Sequence, residues 1–149
     1  MGLFDAIGIA GTGLTAQRIR MDVTAENLAN ADTTRGADGR PYRRQDVVLS
    51  QVGAGGFGGA LTGAIAQAGP GRPAGGVAVT GIVSDNTPGQ KVYDPGNPEA
   101  DAQGYVTRPN ISTVSEMTDL ITEQQSYQSD VTAMQTAKAM FTATLGLLK

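Results

Sequence analysis

The sequence predicts a mainly α-helical protein with a small β region. Paired long N- and C-terminal helices, coiled-coil-like, should flank an extended segment and a β-hairpin in the middle. Apolar residues recur every three or four positions at both ends, while Gly-Pro and Asn-Pro pairs punctuate the middle of this 149-residue chain with its 21 glycines. We therefore expect an N-terminal helix over 1–30, an extended and β-rich middle over 31–112 and a C-terminal helix over 113–149.

The N-terminal helix is predicted from its apolar spacing, which keeps one face apolar from residue 3 to residue 29. Gly8, Gly11 and Gly13 weaken its first half, each by about 1 kcal/mol relative to alanine. This half should therefore need a partner to hold it. The residues of this face that we expect at an assembly interface are Leu3, Ile7, Leu14, Met21 and Leu28.

A run of helix-stopping residues, ANADTTRG, follows this helix. Asn27, Asn30, Thr33 and Thr34 are predicted to form a helix-exit bend, because Asn and Thr side chains bond locally to backbone groups and compete with the helix. Asn30 is predicted to adopt the left-handed backbone conformation that ends many helices, since asparagine tolerates it well.

The middle region carries two strand patterns, at 42–52 and 76–85, with turn signals between and after them. Between them, residues 53–76 are so rich in glycine and proline that we expect a flexible surface loop. Four arginines surround Tyr42, and we expect them to pair with the acidic start of the C-terminal helix of an adjacent subunit rather than with nucleic acid. These arginines are Arg35, Arg40, Arg43 and Arg44.

The C-terminal helix has the clearest pattern. Thr113 and Glu116 have the spacing of a capping box, and an apolar stripe follows, interrupted only by Gln124 and Lys138. Nothing in the middle region is large enough to bury both terminal stripes, so we expect other copies of the chain to cover them. The C-terminal residues assigned to this interface are Met117, Leu120, Tyr127, Val131, Met134, Phe141, Leu145 and Leu148.

Composition excludes most catalytic chemistry. The chain has no cysteine and no histidine, so disulfides, thiolate nucleophiles, imidazole bases and most zinc sites are ruled out. The Gly-rich motif GAGGFG at 53–58 fits a dinucleotide fingerprint, but no acidic residue follows at the required distance of about 20 residues. We expect no enzyme activity, no catalytic residues, no cofactor and no metal.

A membrane role is the main alternative. The start GLFDAIGIAG has the glycine spacing of membrane-inserting peptides, so the N-terminal helix could act as a membrane-active amphipathic segment. Asp5 and the absence of basic residues before Arg18 disfavour anionic lipid, and no apolar run reaches the roughly 20 residues of a spanning helix. We expect no direct membrane insertion, and the net charge of −3 gives no reason to bind nucleic acid.

Two segments carry a family resemblance: GLTAQRIRMDVTAENLANADTTRGADGRPYRRQDVV and EMTDLITEQQSYQSDVTAMQTAKAMFTATLGLL. They resemble the N- and C-terminal signatures of the bacterial flagellar rod, hook and hook-associated proteins. The short middle region, with VYDPGNPEADAQGYV, is similar to that of the proximal rod members, although Gly89 stands where a bulkier residue is usual.

The resemblance implies a structural subunit of the proximal rod of the flagellar basal body. Such a subunit self-assembles helically with copies of itself and other rod proteins, and transmits torque from the motor to the hook. Its implied partners also include MS-ring and adaptor proteins at the rod base. It would reach the periplasmic rod through the flagellar type III export apparatus, without a cleaved signal peptide.

Overall fold

A computed structural model of the chain describes residues 3–36, 38–52 and 75–146. The mainly α architecture with a small β region is confirmed. The elements in chain order are α1 (Leu3–Ala29), β1 (Gln45–Gln51), β2 (Val77–Ser84), β3 (Gln90–Tyr93), β4 (Tyr105–Arg108) and α2 (Thr113–Gly146). Most of the predicted loop at 53–76 lies outside the described residues.

The strands form two separate two-stranded sheets, β1–β2 and β3–β4, where the sequence predicted one small hairpin unit. The chain divides into two compact units. The first unit contains Met1–Ile19, Val48–Gly81 and Gln124–Lys149, and the second contains Arg20–Val47 and Ile82–Glu123.

In the first unit, glycines on α1 allow α2 to approach closely. A Cβ added at Gly11 would lie 3.9 Å from Met134 Cε, and one at Gly13 would lie 2.9 Å from Asp130 Oδ2. The later residue on α1 meets the earlier residue on α2, so the helices run antiparallel in this unit. Gly13, one of the glycines that weaken α1 as an isolated helix, therefore has a packing role.

In the second unit, β3 and β4 pair antiparallel, from Gln90 opposite Arg108 to Tyr93 opposite Tyr105. The Tyr93 and Tyr105 rings meet edge to face, with centroids 5.3 Å apart. Gly89 precedes β3 at a point where an added Cβ would lie only 2.1 Å from the backbone oxygen of Arg108. This contact gives a steric reason for the glycine that departs from the family pattern.

The buried side chains of the described residues are polar as often as apolar. The apolar ones are small: Ala16, Val23, Val106 and Pro109. The polar ones are Thr24, Asn27, Glu116 and Glu123, and they all belong to the second unit. Burial of polar groups is tolerated only where they are hydrogen-bonded, so their partners define how this unit is held together.

Candidate functional site

The buried polar residues of the second unit lie in two bonded groups, one around Asn27 and Glu116 and one around Glu123, which together we call the helix-exit cluster. It joins the last turns of α1, the start of β1 and the first turns of α2. Arg20 and Asn27 lie seven residues apart on α1, and Glu116 and Glu123 lie seven apart on α2, so each pair shares a helix face. The cluster consists of Arg20, Thr24, Asn27, Tyr42, Arg44, Gln45, Glu116 and Glu123.

Asn27 is the centre of this cluster and is only 1% exposed. Its Nδ2 donates to the backbone oxygen of Gln45 (2.8 Å) and to Glu116 Oε2 (3.2 Å). Its Oδ1 accepts from the backbone N–H of Gln45 (2.9 Å) and from the Tyr42 hydroxyl (3.1 Å). The amide thus uses both of its donors and both acceptor positions, and it pins the first residue of β1 to α1.

Glu116, also 1% exposed, accepts a second bond from Arg44. Arg44 Nε donates to Glu116 Oε1 at 2.6 Å, and the Arg44 guanidinium also lies 3.6 Å from Asp119. The hydrogen bond to Glu116 raises the pKa of Arg44, against the lowering effect of burial. Arg44 therefore pairs with the C-terminal helix of its own chain, and the hypothesis that it pairs with an adjacent subunit is wrong for this residue.

Glu123 closes the cluster on the next turns of the two helices. Arg20 Nε lies 3.3 Å from Glu123 Oε1, and the Thr24 hydroxyl donates to the same oxygen at 3.4 Å. Burial raises the pKa of Glu123, while the charge of Arg20 and the Thr24 bond oppose this effect. Among the described residues, Glu123 Oε2 has no hydrogen-bond partner.

The prediction of a left-handed Asn30 is wrong, because the only described residues with positive φ are glycines. The Asn30 N–H makes a helical bond to the Glu26 oxygen (3.0 Å), directly after the last residue of α1. Its side chain ends the helix instead: Nδ2 donates to the Glu26 oxygen (2.9 Å), and Oδ1 accepts from the Thr33 hydroxyl (3.1 Å). Thr34 donates to the carboxylate of Glu99 in the loop before β4.

The capping box predicted at the start of α2 is also wrong. Ser112 is the N-cap, since its backbone oxygen accepts from the Glu116 N–H (3.0 Å) and its hydroxyl accepts from the Ser115 N–H (3.4 Å). The Glu116 carboxylate bonds to Asn27 and Arg44 instead of reaching back to the cap.

The residues assigned to the assembly interface differ in exposure. Met117 and Leu145 are exposed, while Leu148 lies outside the described residues, as does the side chain of Leu3. The half-buried ones are Ile7, Leu14, Met21, Leu28, Leu120, Tyr127, Val131, Met134 and Phe141.

Three exposed apolar residues of α2 were missed: Val114, Ile121 and Met140. Val114, Met117 and Ile121 have helical spacing, so a second apolar stripe could have been recognised beside the first. In the part of the chain that the structure describes, no helix is long and apolar enough to cross a membrane. The same part holds no group of three or more Asp or Glu residues suited to a metal ion.

Comparison with known families identifies the class of protein. Residues 7–37, which cover most of α1 and its exit, match the family described as flagella basal body rod protein. Residues 102–147, which cover β4 and α2, match the family described as flagellar basal body rod FlgEFG protein C-terminal. The two helices joined by the helix-exit cluster are thus those of a flagellar rod protein.

Full-length relatives narrow the class to one family. The chain is 43% identical over 147 residues to the flagellar basal-body rod protein FlgC of Escherichia coli O6:H1, covering 99% of this chain and 98% of the relative. The FlgC proteins of Salmonella typhimurium and Bacillus subtilis are 42% and 40% identical, with coverage of 98% or more on both sides. The chain belongs to the FlgC family of flagellar basal-body rod proteins and is a structural subunit of the bacterial basal body.

The predicted structural role is therefore confirmed, and the family is not one of enzymes. Family membership also favours the rod subunit over the membrane-active alternative.

Proposed function

We propose that this chain polymerises helically, with copies of itself and with other rod proteins, into the proximal rod that carries torque from the motor to the hook. MS-ring and adaptor proteins contact it at the rod base. The subunit reaches the periplasm through the flagellar type III export apparatus, without a cleaved signal peptide. α1 and α2, within 1–30 and 113–149, serve as the axial helices, and 31–112 forms the outer part.

The observation that carries this proposal is the exposed apolar surface of α2. Ile121 is 64% exposed and Leu145 is 50% exposed, and Val114, Met117 and Met140 are exposed as well. Single exposed apolar residues are ordinary, but this helix exposes five of them, and contact with neighbouring subunits would cover them. The half-buried residues of the predicted stripes would add to the same contact.

The helix-exit cluster gives the bend a mechanical role in this proposal. Asn27 fixes the start of β1 against α1, so the chain leaves the helix in one direction in every copy. Thr33 bonds Asn30, and Thr34 bonds Glu99, which hold the bend after the helix. A helical polymer needs such uniform geometry, because an error in one subunit is repeated at each contact.

The experiment replaces exposed apolar residues with a charge in the parent bacterium, with the chromosomal gene deleted and the variant supplied on a plasmid. Ile121→Asp and Leu145→Asp should each prevent incorporation into purified basal bodies, because the contact would bury an unpaired carboxylate. Ser129→Asp on the same helix is the matched control, since Ser129 is exposed and its hydroxyl bonds to the Gln125 backbone oxygen of its own helix.

Swimming and immunoblots of isolated basal bodies are the measurements. The control should swim and be incorporated, whereas the two apolar variants should be expressed but absent from basal bodies. Normal incorporation of both apolar variants would contradict an interface on this surface of α2. Basal bodies that form normally in the deletion strain would contradict the rod function itself.

A further inference from the structure

A small polar cavity lies beside Glu123 in the second unit, with a volume of about 30 Å³. Its walls come from α1, the start of β1 and α2, and they include Arg20, Thr24, Arg44, Asp119 and Glu123. Glu123 is only 4% exposed, and its Oε2 has no hydrogen-bond partner among the described residues. An unpartnered carboxylate oxygen at a cavity of this size is a site for a small ligand.

The chemistry of the walls selects the ligand. An ionised carboxylate only accepts hydrogen bonds, so the ligand must donate one or carry positive charge. The three carboxylates that line the cavity, on Asp46, Asp119 and Glu123, each lie within 3.9 Å of a guanidinium nitrogen of Arg20 or Arg44, and this existing pairing disfavours a metal ion or ammonium. The volume open to a water-sized sphere exceeds the roughly 10 to 15 Å³ that one water molecule needs.

We propose that this cavity binds one water molecule, which donates a hydrogen bond to Glu123 Oε2 and makes its other bonds to polar groups of α1, β1 and α2. Buried waters make about three hydrogen bonds, and the walls offer guanidinium donors as well as carboxylate and backbone acceptors. The water forms part of the joint between the two helices, because Glu123 Oε1 contacts Arg20 and Thr24 of α1.

This water has a consequence for the charge of Glu123. The ionisable groups around that carboxyl are Arg20 on α1, Arg44 and Asp46 at the start of β1, and Glu116 and Asp119 on α2. Solvation of Oε2 by a water donor favours the ionised form and opposes the upward effect of burial on the pKa of Glu123. The water therefore favours the ionised form of Glu123, which is the form that pairs with Arg20.

The test uses the purified full chain in three forms: wild type, Val23→Ile and Glu123→Leu. Val23 is buried and lines the cavity, so one added methylene takes up the space of the water. Glu123→Leu removes the acceptor. Val114→Ile, the same change at an exposed position of α2, is the control.

Oxygen-17 relaxation dispersion counts water molecules with long residence times. The wild type and Val114→Ile should show one more such water than Val23→Ile and Glu123→Leu. Carbon-13 titration should also show a higher Glu123 pKa in Val23→Ile than in the wild type. If Val23→Ile does not fold, the proposal is tested by the number of long-lived water molecules in Glu123→Leu compared with the wild type.

Three results would overturn the proposal. Equal counts of long-lived water in the wild type and Glu123→Leu would exclude a water on this carboxylate. A wild-type Glu123 that is protonated at pH 7 would make Oε2 itself the donor. A site that fills only with added sodium or ammonium would identify a cation instead. A high-resolution structure of the wild type gives a direct check, with a water expected within hydrogen-bond distance of Oε2.

Discussion

Asn27→Asp is the most informative single change in the helix-exit cluster, because it keeps the shape of the side chain and inverts half of its hydrogen bonds. The introduced carboxyl can still accept from the Gln45 N–H and the Tyr42 hydroxyl. In place of Nδ2 it would put an oxygen 2.8 Å from the Gln45 backbone oxygen and 3.2 Å from Glu116 Oε2. Two attractive contacts become repulsive, and one of them joins two carboxylates.

The magnitude follows from these contacts. A neutral hydrogen bond contributes about 1 kcal/mol and one to a charged group about 1.5 to 3 kcal/mol, and each acceptor left unpaired and buried adds a further penalty. Asn27→Asp should therefore lower the free energy of unfolding by about 4 kcal/mol near pH 7. Part of this loss should return at acidic pH, where protonation of the introduced carboxyl restores a donor.

Urea unfolding of the purified full chain measures this effect. With a denaturant slope of about 2 kcal/mol per M, the midpoint should fall by about 2 M. Asn30→Asp is the control, since it makes the same chemical change three residues away, at a side chain that bonds to Glu26 and Thr33. This control should lower the free energy of unfolding by about 1 kcal/mol. An unchanged midpoint for Asn27→Asp would refute the hydrogen-bond assignment of its side chain.

Three further changes test other parts of the structure. Gly89→Ala should lower the free energy of unfolding, measured in urea, by about 1 to 3 kcal/mol, because the added Cβ meets the Arg108 backbone oxygen. Gly81→Ala, which has open space around it, should be near neutral, and equal effects of the two changes would contradict the close approach at Gly89. Asn30→Val and Asn30→Gly lose the same two side-chain bonds at a residue whose φ is not positive, so Gly should be no better tolerated than Val in unfolding and swimming. A clear advantage for Gly would indicate the left-handed conformation instead. Because burial raises the pKa of Glu123, the native protein binds a proton at this carboxyl more tightly than the unfolded protein does. The stabilising contribution of this proton is full below the unfolded pKa of about 4.3 and is lost as the pH rises through the higher native pKa. The stability of the wild type relative to Glu123→Gln should therefore fall from pH 4 to pH 7, and a difference that is constant with pH would contradict this.

The helices were predictable because their signal is periodic and local. Repeats of three and four residues fixed α1 and α2 to within a few residues of their observed bounds, and the stop after residue 29 followed from short polar side chains. The mechanism of that stop was not predictable in the same way. Asn30 could end a helix by its backbone conformation or by its side chain, and the structure distinguishes the two by the sign of φ at Asn30 and by the side-chain bond to the Glu26 oxygen.

The helix-exit cluster was harder to predict because its partners come from three distant segments. Arg44 had acidic partners available on its own chain or on a neighbour, and sequence spacing does not choose between them. Glu116 fits a capping box by pattern, yet the start of α2 is capped by Ser112 and the carboxylate is free to bond Asn27. One signal was present: the seven-residue spacing of Arg20 and Asn27 on α1 matches that of Glu116 and Glu123 on α2.

That matched spacing explains why the second unit has polar side chains where an apolar core would also hold it. Apolar stripes with a seven-residue repeat can slip by one heptad and still meet apolar residues, so they fix helix register weakly. In the observed register, Arg20 meets Glu123 and Asn27 meets Glu116. A slip of seven residues in one direction would place Arg20 opposite Glu116, leaving Asn27 and Glu123 buried without these partners. Such orphaned groups each cost about 1 to 3 kcal/mol, or more when charged, so the cluster selects one register among those the apolar stripes allow. The same cluster anchors Gln45, so helix register and the start of β1 are set together.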